Sequence, residues 1–250
     1  MKLNTNTRVR WEIIRKLPVI KSLRGKKILD VGAGLGYFSV HFAELGAKVL
    51  AVDIDSKSLE YLKNQYNVKT FEMNLEKDDL PSGTYDLVFI GEILEHIDNP
   101  NSLLLKAREV LAPSGYILVT TPALEGPLIN TKGKMLGHRD GSEKHYRNGF
   151  SFSEFKKIFL ELGMEITFHP FSVFFFAELF MQLTKLMYFK KKITYASQSD
   201  VFDTVNSFKF KMLKIIYPAL LIFFNVEQRL SRVFRLKGHC HIILARKKAS

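Results

Sequence analysis

Residues 28–39 read ILDVGAGLGYFS: an apolar run that halts at three glycines, Gly32, Gly34 and Gly36, and resumes as a helix-forming stretch. The pattern describes a strand that turns into a helix. Glycines at such a turn let backbone approach a ligand closely, and the helix that follows offers N–H groups without partners. The dinucleotide fingerprint is G-x-G-x-x-G, whereas these glycines are evenly spaced and follow an acid, Asp30. A nicotinamide-nucleotide reading is therefore disfavoured. A glycine turn alone is also compatible with a tight connection and nothing more, so the flanking segments decide.

Outward from this turn, short apolar runs alternate with longer helical stretches, the signature of βαβ units and a parallel sheet. KKILDVGAG reads as the first strand, AKVLAVDID as the second, VKTFEMN as the third, YDLVFIG as the fourth and GYILVTTP as the fifth. MEITFHPF supplies a sixth and HCHIILAR a seventh. Helices are expected over 37–45, over 56–65 with Ser56 as N-cap, over 101–111, and over SFSEFKKIFLELG from a serine cap to Gly163. An amphipathic helix over 8–23 precedes them, with Trp11, Ile14 and Leu17 on one face. The expected fold is a doubly wound, mostly parallel seven-stranded α/β sheet. Residues 1–172 plus 238–250 form its domain, and 173–237 form a helical insertion before the last strand.

Each strand end carries a polar residue suited to a nucleoside. Asp53 ends the second strand, where a carboxylate can accept hydrogen bonds from ribose hydroxyls. Asp55 is the alternative, or else it caps the next helix. Asn74 follows the third strand, where an amide can meet an adenine amino group. After the fourth strand comes GEILEHIDNP, residues 91–100, with Glu92, Glu95 and His96 inside five positions. If this segment is helical, all three share a face. They are then a metal site, an acid/base set, or only the polar start of a helix. An imidazole titrates near neutrality, so His96, or His145 further on, is the candidate base.

Taken in order, LDVGAGLGYFS, AVDID, MNLE, YDLVFIGEILEHI and PSGYILVTTP resemble the class I methyltransferases that use S-adenosylmethionine, over residues 25–170 and again near 240. The resemblance implies that the loop of Asp30, Gly32, Ala33, Gly34 and Gly36 holds the methionine part, with Gly91 among the cofactor contacts. It places the ribose at Asp53 beside Ile54, and the adenine at Asn74 and the Leu75 backbone. The chain departs from the commoner pattern at 74, where the family usually has Asp. The E-x-x-E-H spacing resembles two metal-using branches, the small-RNA 2′-O-methyltransferases and the O-methyltransferases of ubiquinone biosynthesis. That likeness implies a divalent cation such as Mg held by Glu92, Glu95, His96 and His145, or less readily His138, on acceptor hydroxyls. Glu92, His96 and His145 are the catalytic candidates, and Tyr146 and Arg147 are candidates to position the acceptor.

Charge and apolar content separate the chain into two parts. The net charge is +12, but residues 1–165 hold 23 Lys and Arg against 21 Asp and Glu, while residues 166–250 hold 14 against 4. The same last third contains 13 of the 21 phenylalanines. FSVFFFAELFMQLTKLMYF and MLKIIYPALLIFFNV, with Lys190 to Lys192 and the Lys209, Lys211, Lys214 set beside them, suit attachment to an anionic membrane surface. They also suit a lid over an apolar pocket, which ranks second. Either way an apolar or lipid-linked small-molecule acceptor follows. Nucleic acid ranks below it, because the apolar residues run uninterrupted and are not dispersed among cations. An RNA 2′-O-methyltransferase and a non-catalytic membrane adapter stay as alternatives. Cys240, the lone cysteine, excludes a disulfide framework and reads as a small core residue. Residues 1–17 lack a signal-like apolar run. The expected setting is cytoplasmic, peripheral on a membrane face.

Overall fold

The computed structural model describes residues 5–128, 146–188 and 208–248. Its centre is a sheet of eight strands: β1 Lys27–Val31, β2 Lys48–Asp53, β3 Lys69–Glu72, β4 Tyr85–Gly91, β5 Leu111–Pro122, β6 Met164–Phe168, β7 Phe171–Ser172 and β8 Cys240–Lys247. The order is β3-β2-β1-β4-β5-β8-β6, with the two-residue β7 pairing β8. β1 to β5 are parallel, and β8 runs antiparallel to β5, β6 and β7. This is the expected doubly wound sheet, with β7 as an addition too short to show in the sequence.

Helices cover both faces, which is why the central strands are apolar throughout. On one face Ile28, Leu87, Phe89, Leu118, Ile242 and Leu244 pack with helices α1 Thr5–Ile14, α2 Pro18–Lys21 and α3 Tyr37–Glu44. On the other, Leu29, Val88, Ile90, Ile117 and Ile243 pack with α5 Pro100–Glu109 and α6 Phe152–Glu161. α4, Ser56–Tyr66, joins β2 to β3. Successive residues of β1, β4, β5 and β8 alternate between the two cores, as the period of a strand requires.

Three local readings change. The helix expected over 8–23 is two helices, because Pro18 opens α2 and holds Leu17 in extended backbone. The cap of α4 is Asp55, whose side chain accepts from Lys57 and Ser58 N–H, so Ser56 is the first helical residue. The segment 92–96 is no helical turn of the α kind. Its Glu92 N–H continues the sheet by bonding Thr120 O, and its backbone is left-handed, with φ 55°. Only Leu94–His96 form a short 3-10 turn. α6 is as expected, with a reciprocal capping box between Ser151 and Glu154.

Between β7 and β8 stand α7 Phe175–Tyr188 and α8 Phe208–Val233. The Glu227 carboxylate on α8 accepts from Phe176 and Ala177 N–H, 2.7 and 3.1 Å, and so caps α7. Both helices lean on α1. Val9 packs with Val173, Ala177, Phe224 and Cys240, and Gln228 Nε2 donates to Val9 O, 3.0 Å. Among the described residues no helix is long and apolar enough to cross a membrane. Lys190 to Lys192 and the side chains of Lys209, Lys211 and Lys214 lie outside the described residues.

Candidate active site

The site forms where β1, β2 and β4 end and where antiparallel β8 begins. After β1, Gly32, Gly34 and Gly36 take φ of 73°, 50° and 74°, the left-handed region that glycine enters without steric cost. The turn is tied to β2. Gly32 and Ala33 N–H both donate to Val52 O, and Gly34 N–H donates to Asp53 Oδ2 at 2.7 Å. A Cβ on Gly32 would stand 2.1 Å from Ile93 Cγ1, so the turn sits directly against the segment after β4. Gly36 is the N-cap of α3 and supplies no side-chain cap, and Ser39 in the first turn of that helix gives a backbone hydrogen bond to Asp30 behind the glycine turn.

Asp53 uses one oxygen on Gly34 and the other on Asp55 N–H, 2.9 Å. A carboxylate accepts about four hydrogen bonds, so each oxygen retains room for a hydroxyl. The neighbouring Ile54 is 64% exposed, an uncovered apolar face beside that carboxylate. Asn74 Oδ1 accepts from Glu76 N–H, 3.0 Å, and Asp78 accepts from Asn74 N–H, which folds 74–78 into a turn. Leu75 is half-buried there. A hydroxyl-accepting acid, an apolar plate and a glycine turn at the start of a helix fit the nucleoside and amino-acid parts of S-adenosylmethionine.

Asp30 is buried one step behind the turn, with Ser39 Oγ donating to its Oδ2 at 2.5 Å. Burial pushes its carboxyl up to about 7; the Ser39 bond opposes this and the Asp53 charge adds to it.

The carboxylates after β4 part company. Glu92 turns to α1 and pairs with Arg10, Oε1 to Nη1 at 2.5 Å, while Cys240 Sγ lies 3.6 Å from both groups. The Arg10 side chain is 5% exposed and the Glu92 side chain 35%. Burial alone would lower the Arg10 guanidinium, yet the facing Glu92 carboxylate and the Cys240 thiol hold it above its ordinary value. Burial pushes that thiol up to about 12, with Glu92 adding to the shift, so Cys240 is inert toward electrophiles.

Glu95 points the other way, into the core, where Thr121 Oγ1 donates to its Oε2 at 3.1 Å. Its carbonyl accepts from Tyr146 and Arg147 N–H, which ties the chain returning from 129–145 to this turn. Arg147 itself pairs with Glu154 and covers the Phe150 ring, so its guanidinium is used in packing. His96 is half-buried at the end of the 3-10 turn. His145 and His138 lie outside the described residues. Among the described residues no three His, Cys, Asp or Glu side chains converge as a metal site. The expected face shared by Glu92, Glu95 and His96 is lost because Glu92 is left-handed and sheet-bonded, which sends the two carboxylates to different partners.

Burial, with the Glu92 charge nearby, pushes the Glu95 carboxyl up to about 8. The folded state therefore holds this proton more tightly than the unfolded chain, whose glutamate titrates near 4.3. Stability is full below that value and falls as pH rises toward 8. Glu95→Gln keeps an acceptor for Thr121 and removes the charge. Urea midpoints at pH 5 and pH 8 are expected to draw together in this variant, and an undiminished gap would sink the assignment.

Arg10 was not legible as a site residue, because nothing in an amphipathic helix near the start marks one arginine as the partner of a glutamate eighty positions on. Cys240 reaches the same place through the antiparallel direction of β8, which brings that strand's first residues to the carboxyl edge of the others.

Residues 6–168 match the family model described as a methyltransferase domain. Among curated proteins, the mitochondrial ubiquinone biosynthesis O-methyltransferase of Schizosaccharomyces pombe is 34% identical over 105 residues, 39% of this chain and 38% of that protein. The ubiquinone biosynthesis O-methyltransferase of Shewanella pealeana is 33% identical over 103 residues, 39% and 44% of the two chains. The chain thus spans less than half the length of these curated relatives. An S-adenosylmethionine-dependent methyltransferase from Mesorhizobium loti superposes with a TM-score of 0.58 at 17% identity, covering 95% of this chain and 97% of that one. A putative one from Listeria monocytogenes gives 0.58 at 14%, covering 97% and 98%. These two likenesses concern the fold.

Proposed function

The chain belongs to the methyltransferase-domain family, of the class I S-adenosylmethionine-dependent kind, and from that premise we propose that it methylates a hydroxyl of an apolar, quinone-precursor type of acceptor. The relatives named for ubiquinone biosynthesis support the acceptor class, and the apolar helices α7 and α8 beside the site agree with it. The observation that carries the reading is the half-exposed Glu92 carboxylate, fixed by a buried arginine beside the glycine turn.

The cofactor supplies a methyl group on a sulfonium that is already a good leaving group. The protein's tasks are then to orient, to exclude water and to take the hydroxyl proton. Asp53 and Ile54 hold the nucleoside end, the turn 32–36 closes on the amino-acid end, and Glu92 or His96 receives the proton. The basic, apolar last third holds the enzyme on the surface of a membrane, where a tailed acceptor resides.

The test is incubation with S-adenosylmethionine labelled in the methyl group and a total cell extract, partitioned into lipid, polysaccharide and RNA fractions. Label is expected in the lipid fraction, in alkali-stable ethers. Label in RNA alone would overturn the acceptor assignment.

A further inference from the structure

α1 and α8 meet along a groove of about 320 Å³ lined, among the described residues, by four cations: Arg15 and Lys16 from the turn that follows α1, and Arg229 and Arg232 from α8. Among the described residues one carboxylate lines it, Glu12, and this is already paired with Arg15 at 2.6 Å. The excess positive charge therefore faces itself across the groove. Lys16 is pushed below its ordinary value by desolvation; Glu12 opposes this, and Arg15, Arg229 and Arg232 add to it. Burial, then Arg229, does the same to Arg232.

Cations assembled against their own repulsion suit an anion between them. The rest of the surface says which anion. Ile222 and Val226 line the groove's α8 wall and are 68% and 47% exposed. With Leu230 and Val233 they continue as an exposed apolar stripe at i, i+4, i+8 and i+11, one face of the helix. A soluble phosphate ligand has no use for that stripe, whereas a lipid presents a phosphate and, directly beneath it, acyl chains. We propose that the α1–α8 groove binds the phosphate of anionic membrane-lipid headgroups while the α8 stripe enters the acyl boundary.

This rests on the membrane-surface part of the proposed function and names the contact. It assigns the headgroups to Lys16 and Arg229 in the groove. α1 also carries Arg10, so the headgroup groove and the Glu92 carboxylate share one helix.

The experiment is flotation of the full chain with vesicles of phosphatidylcholine alone or mixed with phosphatidylglycerol. Tight binding is expected only to the mixed vesicles, and raised salt should weaken it. Each basic residue at such a surface contributes roughly fivefold in affinity, so Lys16→Gln with Arg229→Gln should lose about 25-fold. Lys57→Gln with Lys63→Gln on α4, an equal loss of charge, should change little, and circular dichroism of both variants checks the fold. Equal binding by the groove variant and the native chain overturns the groove while membrane attachment stands. If the native chain floats with neither vesicle, both readings fall; binding of soluble glycerol phosphate, lost in the groove variant, would then leave an anion site that is not for lipid.

Discussion

Asp53→Ala is expected to lower the affinity for S-adenosylmethionine, or for its demethylated product, by about a hundredfold or more. Hydrogen bonds from hydroxyls to a charged group contribute roughly 1.5–3 kcal/mol each, and two of them at the lower figure already correspond to that factor. A second effect works in the same direction. The carboxylate also holds Gly34 N–H and Asp55 N–H, so its loss removes one tie between the glycine turn and β2, while those from Gly32 and Ala33 to Val52 O remain. Asp53→Asn keeps one acceptor oxygen and should fall between the native protein and the alanine variant. Titration calorimetry reads this directly and needs no knowledge of the acceptor. An affinity within threefold of native in the alanine variant would remove Asp53 from the site.

The second large effect concerns the ion pair under α1. Glu92→Ala leaves Arg10 charged, buried and without its carboxylate, a change that destabilises by roughly 3–5 kcal/mol when a buried pair is broken. Glu92 is itself part-exposed, so the lower end of that range applies, and the melting temperature should drop by about 6–12 °C. Restoring an uncharged pair tests the cause. In Arg10→Met with Glu92→Met the stranded charge is gone, and most of the lost stability should return. Cofactor binding should survive in the double variant, because the glycine turn is untouched, while methyl transfer should fall to what His96 alone supports. A double variant as unstable as Glu92→Ala alone would show that the pair acts through packing and not through charge.

The sheet was readable because its signals are local and repeated. Buried on both faces, β1, β4 and β5 are apolar runs that stop at glycine or a polar residue, and the connecting helices announce their own caps, as Ser151 does with Glu154. The glycine turn, Asp53 and the 74–75 corner follow once strand order is known. What eluded sequence reasoning is set by contacts distant along the chain. Glu92 takes a left-handed backbone that costs a non-glycine residue about 1 kcal/mol, and it does so where Thr120 O claims its N–H and Arg10 claims its carboxylate. Spacing alone therefore suggested a shared helical face for Glu92, Glu95 and His96 that the backbone does not form. Asp55 replaced Ser56 as cap for a similar reason, since the same loop serves Asp53 on one side and α4 on the other.

The position of β8 has a consequence for the order in which this protein assembles. β8 is an interior strand: it pairs Tyr116 with Arg246 on one edge and Met164 with Lys247 on the other, so among the described residues β6 has no neighbour in the sheet until β8 is made. On the ribosome, β1 to β5 can join as they emerge, but β6 must wait through the synthesis of α7 and α8 before it is clasped. Closing contacts of such long sequence separation are slow, and an unclasped strand is open to pairing with other chains. The two apolar helices thus also set a delay, and substitutions within them should alter the yield of soluble protein even where they leave the finished fold unchanged.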